Sequence, residues 1–366
     1  MGEVTRWLAF TLGLVIVVGT GVSMLKHLVV PRRAWSLLPF TVTTIVTGAF
    51  RFVVRRSGSY DRADRFLGFL GPVVVVSTLM AMLAAFILGF ALLLAPFESI
   101  SAPDALRESG SSVTTLGFES TRFPGPSVID VVAGATGLIV VALTIAYLPT
   151  LYSIIRDRER LVKQLEGRAG SPTWGPQVLT CHHAQGALEC LPDFFTDWET
   201  WAAEVADTHT KYPVLVTFRL PRAPNHWVLS LLAVLDAAAL DLSLRPSAAR
   251  PQARLVLQMG RRCLRDLAGP TGAPPDVDEP GRELWLTEEA FADAVSHLID
   301  AGYPVERSAA EAWPEFRSYR LAYEAIAIHI ADRVVAPPTR WSGPRTLFPD
   351  LGPLPYRPPG PQPPAV

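Results

Sequence analysis

Three long runs of the chain carry no charged residue: Trp7–Leu25, Phe66–Phe97 and Val131–Ile155. Each supplies the roughly 20 mostly apolar residues that a helix needs to cross a hydrocarbon layer about 30 Å thick. A helix packed on a water-soluble core keeps a polar face, and these runs have none. The pattern therefore predicts three transmembrane helices, the second tilted or overhanging the interface because of its length. A fourth uncharged run, Ala34–Phe50, follows Arg32 and Arg33 and precedes Arg51, Arg55, Arg56, Arg62 and Arg65. Basic segments stay on the inner side of a membrane, so a crossing here would leave one basic end on the wrong side. Thr41, Thr44, Thr47, Arg51 and Arg55 also recur at helical spacing as a more polar stripe. These features predict a helix lying along the cytoplasmic face. Arg32, Arg33, Arg51, Arg55 and Arg56 would then face anionic headgroups. A true fourth span is the alternative.

Beyond about residue 156 the pattern becomes that of amphipathic helices around a core. Phe194, Trp198, Trp201 and Val205 share one face of a helix over Pro192–Asp207. His226–Leu244 is apolar enough to be a core helix, and Asp236 and Asp241 argue against its being a span. Pro251–Ala268 continues the pattern, and Thr287 caps a helix that stops near Gly302 and Pro304. Tyr319, Tyr323, Ile326, Ile330 and Val334 form a last apolar stripe. Gly269–Glu283 reads as a loop, and from Ala336 onward the proline content predicts a disordered or extended tail.

Composition sharpens this division. The 366 residues are 49% hydrophobic and only 18% charged, an apolar balance for a soluble protein, but the charge is concentrated in the second half. A net charge of −1 offers no basic footprint, so no nucleic-acid partner is expected. Cys181, Cys190 and Cys263 are odd in number and irregularly spaced, which suits reduced thiols in a cytosolic compartment. The opening Met1–Arg6 carries one acid and one base, and no small-residue cleavage site follows promptly, so a cleaved signal is not expected. Lys26–Arg65 is basic, as are Arg156, Arg158, Arg160 and Lys163, and both should be cytoplasmic. The loop between the second and third spans sets Glu98, Asp104, Glu108 and Glu119 against Arg107 and Arg122, and should face outward with the amino terminus.

That loop is too short for a domain and too structured for a turn. Ser101-Ala102-Pro103-Asp104 is a helix start, with a capping serine, a proline in the first turn and an acid at the positive dipole end. The helix would run to about Val113. An uncharged strip follows, Ser111-Ser112-Val113-Thr114-Thr115-Leu116-Gly117-Phe118, then Glu119, and Pro124-Gly125-Pro126 ends the loop. A short helix, a strip with a glycine and a second span is the plan of a re-entrant pore loop. Non-helical backbone at membrane depth is tolerated only inside protein or along a water-filled cavity.

At these residues the chain resembles the potassium-channel family, whose filter pattern is Thr-x-Gly-Tyr-Gly. Thr114-Thr115-Leu116-Gly117-Phe118 matches its first part, and the likeness covers about residues 67–155 in span, pore loop and span order. The resemblance implies that Thr115 presents hydroxyl and carbonyl to a potassium ion and that Leu116, Gly117 and Phe118 are the next carbonyl donors. It also implies that four such strips, one per subunit of a homotetramer, replace the ion's hydration shell. Glu119 stands where the family has its second glycine, and Ser120 where it has aspartate. Four copies of Glu119 would put an acidic ring at the outer mouth, which bears on strict potassium selectivity. Trp198-Glu199-Thr200-Trp201-Ala202-Ala203-Glu204, Tyr212-Pro213-Val214-Leu215 and Ala233-Val234-Leu235-Asp236-Ala237-Ala238-Ala239 are similar to the cytoplasmic half of uncharacterised bacterial ion-channel-like proteins, a likeness that brings no activity with it.

Gly134 and Gly137 fall where a pore-lining helix could bend or pack closely, and Pro149 removes a helical hydrogen bond near its inner end. Asp130 reads as a solvated cap residue. Cys181-His182-His183 with Cys190 fits no standard zinc spacing and reads as a loop cluster. There is no phosphate-cradling glycine loop or nucleophile elbow, so no enzyme and no resident cofactor or metal is expected. The expected whole is an all-α membrane protein: transmembrane helices with a re-entrant pore loop plus a helical cytoplasmic domain. Its parts are a transmembrane helix (1–30), a basic amphipathic interfacial helix (31–65), a span–pore loop–span channel module (66–156), a helical cytoplasmic domain (157–335) and a proline-rich tail (336–366). The expected function is a monovalent cation channel of the plasma (inner) membrane, and a non-conducting membrane scaffold or sensor is the alternative. The ligand or partner of the cytoplasmic half is not legible.

Overall fold

The structure, a computed structural model, describes residues 3–28, 37–97, 100–119, 124–219, 226–248, 250–271 and 283–359. Among these residues the regular structure is helical, with one isolated bridge between Ser171 and Arg357. The chain forms two compact units, Met1–Phe52 with Phe69–Ser153, and Val53–Gly68 with Ile154–Val366.

The first unit contains α1 (Glu3–Leu28) and most of α2 (Leu37–Val54). After α3 (Tyr60–Leu67), which belongs to the other unit, come α4 (Leu70–Leu93), α5 (Ala102–Val113) and the first part of α6 (Pro124–Ala169). The segments holding α1, α2, α4 and α6 are each long and apolar enough to cross a membrane. Leu8, Val15, Ile45, Leu88, Leu138 and Ile145 are all exposed on them. Apolar surface of this extent suits lipid or a partner rather than water, and the helices are compatible with a multi-pass membrane protein. Within the unit, α1 crosses α4 at Gly13 and Gly89, where a Cβ on Gly13 would stand 2.7 Å from the Gly89 carbonyl oxygen. Small residues let apolar helices approach where no hydrophobic force separates them from lipid. Met82, Phe86 and Phe90 of α4 gather Met24, Val113 and Val140 into one core.

The basic segment expected as one interfacial helix over 31–65 is two helices. The chain turns at Ser57–Gly58, and α3 is built into the second unit through Tyr60, Ala63, Asp64 and Leu67, all buried. These positions repeat at i, i+3, i+4 and i+7, an inward stripe that the arginines between them mask. The Tyr60 hydroxyl donates to the Val335 carbonyl at 3.1 Å, and Arg219 pairs with Asp64 at 2.6 Å. Arg51 is half-buried, and Arg55 and Arg56 are exposed; Arg32 and Arg33 lie outside the described residues.

In the second unit α3 is followed by the remainder of α6, then α7 (Gly175–Ala184), α8 (Leu191–Lys211), α9 (Trp227–Leu244), α10 (Pro251–Thr271), α11 (Glu288–Asp300), α12 (Ala309–Leu321) and α13 (Glu324–Arg333). The centre is α9, buried along its entire length and covered by α7, α10, α12 and α13. A helix apolar all round is either a span or a central core helix, and the surrounding contacts make α9 the latter. Its two acids are each paired: Asp236 with Arg320 at 2.5 Å and the Tyr323 hydroxyl at 2.8 Å, and Asp241 with Arg250 at 2.7 Å and the Tyr303 hydroxyl at 2.6 Å. Phe194, Trp198, Trp201 and Val205 are buried on α8 as their spacing predicts. Thr287 caps α11, accepting from the Ala290 amide at 3.2 Å. The last apolar stripe is split between α12 and α13 by a break at Ala322–Tyr323.

The tail expected to be disordered or extended is, over residues 336–359, an irregular packed chain, and its residues 360–366 lie outside the described residues. Residues 336–359 form no helix, yet Trp341 packs edge-on against Trp174 (5.4 Å between centroids) and at a tilt against Phe316 (5.7 Å). Arg345, 2% exposed, donates to the carbonyls of Ala336, Pro337, Ser342, Gly343 and Pro344. Proline excluded a helix here, but one tryptophan and one arginine supply the burial and the donors that fix an irregular chain.

A buried polar cluster contains Arg158 of α6. Its guanidinium donates to Glu159 Oε1 at 2.6 and 2.9 Å and to the carbonyls of Leu215 and Phe218, each at 3.0 Å. His209 Nε2 lies 3.0 Å from Arg158 Nη1, and since arginine only donates, that nitrogen accepts and the ring is neutral. Burial, helped by the Arg158 charge, holds His209 well below the ordinary histidine range, and burial and nearby arginines do the same to His226. The unfolded chain takes up protons at these sites below about pH 6.5 and the folded chain does not, so stability is lost as pH falls through that value. Asp236 opposes this below about pH 6, because burial pushes its carboxyl up to about 6 and the folded state protonates first. Comparison with a variant isolates the histidine. His209→Gln should remove about 1.2 kcal/mol of the stability lost between pH 7 and pH 5.5, read from urea midpoints at the two pH values.

Candidate functional site

The strip singled out in the sequence follows α5 directly. Ser101 caps this helix, its Oγ accepting from the Asp104 amide at 3.4 Å and donating to Asp104 Oδ2 at 2.5 Å. Ala105, Glu108, Ser109, Ser111 and Val113 form its buried face, and the Ser109 hydroxyl donates to the Ile87 carbonyl of α4 at 3.0 Å. On the other side, α6 meets the end of α5 at Gly137. A Cβ built there would stand 1.7 Å from the Val113 carbonyl oxygen, so only glycine permits this approach. Gly134 is different, because its Cβ would sit 3.5 Å from the Ser112 oxygen, an ordinary contact. Asp130, expected as a solvated cap, has Oδ1 3.1 Å from Ser112 Oγ and thereby ties α6 to α5. Pro149 is exposed within α6, which runs past it to Ala169.

The helix ends in a tight left-handed cap. The amides of Leu116 and Gly117 both donate to the Ser111 carbonyl, at 3.0 and 3.4 Å, and the Thr115 amide donates to the Ser112 carbonyl at 3.0 Å. Thr115 has φ +59° and Gly117 has φ +68°. Glycine suits such a position, but a β-branched threonine is strained there by about 1–2 kcal/mol. The Ser111 hydroxyl then fixes the far end of the strip, accepting from the Glu119 amide at 3.0 Å and donating to the Glu119 carbonyl at 3.2 Å.

These bonds decide where the carbonyls point. In a planar trans peptide the C=O is directed opposite to the N–H. The amides of residues 115, 116, 117 and 119 all turn back onto Ser111 and Ser112. The carbonyl oxygens of Thr114, Thr115, Leu116 and Phe118 therefore turn away from the helix end. Thr115 Oγ1 lies 2.7 Å from the Thr114 oxygen. The strip is open to its surroundings in the single chain, with Leu116 71% and Phe118 61% exposed. Chemically the strip offers backbone acceptors, of which the Thr114 oxygen is already engaged by the Thr115 hydroxyl, and backbone carbonyls of this kind can ligate hard cations.

Glu119 is not the bare acid that the sequence suggests. Its Oε2 lies 3.6 Å from Arg107 Nη2, one helical turn before Ser111. Arg107 and Asp130 lie outside the motif, and Ser111, at its start, has a bonding role that the motif does not announce. The i, i+4 spacing of Arg107, Ser111 and Thr115 was the available signal.

The second cluster considered from the sequence divides differently. Cys181, His182 and His183 lie on α7 rather than in a loop, and Cys190 is exposed. His182 is buried with Nδ1 2.7 Å from the Val178 carbonyl oxygen, and Gln177 donates to Cys181 Sγ at 3.2 Å. Among the described residues, no three His, Cys, Asp or Glu side chains are grouped to hold a metal ion. Comparison of the chain with protein-family models, curated proteins and solved structures found no match.

Proposed function

We propose that the chain is one subunit of a homotetrameric pore for monovalent cations, potassium foremost, with Thr114–Glu119 of each copy lining the ion path. The observation that carries this reading is the inward turn of the strip's amides onto Ser111 and Ser112, which leaves successive carbonyls facing outward. One strip cannot enclose an ion, whereas four around an axis replace its water ligands. In this reading the protein lies in the plasma (inner) membrane, α5 and its strip form a re-entrant pore loop, and the second unit is cytoplasmic and regulates or assembles the pore. Arg51, Arg55 and Arg56, with Arg32 and Arg33, contact anionic headgroups. A second reading, a non-conducting scaffold or sensor, is favoured by the tight turn at Thr115 and by Glu119 in place of glycine.

The test is potassium flux through the purified chain in liposomes, with sodium as comparison and Gly117→Asp as control. The expected result is potassium flux that Gly117→Asp abolishes, since the substitution adds both a strained left-handed residue and a charge to the strip. A folded tetramer that passes no ion across a range of voltage and pH would favour the scaffold.

A further inference from the structure

Glu119 is held at its amide and its carbonyl by one hydroxyl, Ser111 Oγ, so its backbone is fixed at the end of the strip and its carboxylate starts from there. Arg107 approaches that carboxylate from α5 at 3.6 Å, and both side chains remain in contact with solvent, 64% and 38% exposed. The acid of α5's first turn, Asp104, is hydrogen-bonded to the capping Ser101. We propose that Arg107 is the counter-charge of the pore mouth and sets the rate at which cations are drawn to it, an inference that rests on the pore reading above.

The physical argument is electrostatic. In a tetramer the Glu119 carboxylates alone form a fourfold negative ring beside the strip, and a ring of one sign raises the local cation concentration. With Arg107 paired to each, the net charge of the ring is zero, and attraction falls to that of dipoles. The pair contributes little to folding, as exposed ion pairs usually do. Its consequence is therefore for permeation rather than stability. Arg107 does not touch the ion in this scheme; it is a positioning residue that acts through the field of Glu119.

The experiment is potassium flux through the full chain in liposomes at about 10 mM and about 1 M salt, where the screening length is about 30 Å and about 3 Å. Arg107→Gln should raise flux about three- to tenfold at low salt and leave it near wild type at high salt. Arg107→Lys should restore wild-type behaviour, because it keeps the charge. Glu119→Gln, which leaves the arginine unpaired, should lower low-salt flux by a similar factor. The double variant Arg107→Gln with Glu119→Gln should return close to wild type. Equal flux for wild type and Arg107→Gln at both salts, or a change of the same size at both, overturns the inference while the pore reading stands. Absence of flux from the wild type takes down the pore reading and this inference with it.

Discussion

Arg320→Met should destabilise the second unit by about 3–5 kcal/mol, the largest single effect expected in this chain. Arg320 is completely buried, and its guanidinium pairs with Asp236 at 2.5 Å and Glu324 at 2.9 Å while donating to the Trp341 carbonyl at 2.5 Å. Burial opposes its charge, but Asp236 and Glu324 together outweigh that opposition and raise its pKa. Methionine fills much of the same volume, so the effect is not that of a cavity. It strands two acids in the core. Glu324 keeps the amides of Trp285 and Leu286, at 2.7 and 3.2 Å, and Asp236 keeps the Tyr323 hydroxyl, but neither retains a positive partner. Urea unfolding of the full chain in detergent, followed by tryptophan fluorescence, measures the loss. Neutralising the acids as well, with Asp236→Asn and Glu324→Gln, should recover a large part of it. A loss under about 1 kcal/mol for the single variant would mean that the charges are not held by this pairing.

If the chain forms the proposed pore, Gly137→Ala should remove its ion flux while leaving the unfolding of the second unit unchanged. The added methyl would meet the Val113 carbonyl, a backbone atom that cannot swing aside as a side-chain tip can. Relief requires α6 and the end of α5 to separate, at a cost of about 1–3 kcal/mol or more. Such a shift moves the hydrogen-bonded turn on which the outward carbonyls depend, and misplacement of about 1 Å is costly wherever ligands must converge. Gly134→Ala serves as the comparison. Its methyl fits at ordinary contact distance, so flux should change little. The opposite pattern, with Gly134→Ala the damaging change, would identify a bending point at Gly134 instead of a packing contact at Gly137.

The helices most legible in the sequence were those whose partner surface is written into one periodic face, as in α8 with Phe194, Trp198 and Trp201, or whose ends carry a cap, as in α5 and α11. The reading of α9 as a core helix rested on Asp236 and Asp241, and the structure supplies the arginines that make those acids tolerable there. Where sequence pattern and structure differ, a strong local feature conceals a weaker distant one. Arginines drew attention to the outer side of α3, while Tyr60 and Asp64 reach Val335 and Arg219, partners more than 150 positions away. Proline spoke against structure after Ala336, and nothing in local propensity foretold that Trp341 would find Trp174. Within the candidate site, Thr115 and Gly117 could be matched to a pattern, but the role of Ser111 depends on a turn whose geometry is not a property of residue type. Serine on a polar strip is ordinary; serine holding both backbone atoms of Glu119 is a matter of three-dimensional register.

The packed segment after Ala336 has a practical corollary for shortening or tagging the chain. A deletion placed at the proline-rich boundary would strip Trp341 from Trp174 and Phe316 and remove Arg345 together with four of the five carbonyls it gathers, leaving that of Ala336 without this donor. It would also remove Tyr356 and Arg357, which bond to Ala169 and Ser171 at the end of α6 and just beyond it. Fluorescent or affinity fusions are better joined beyond Pro359, and a truncated fragment that aggregates should be attributed first to the cut itself.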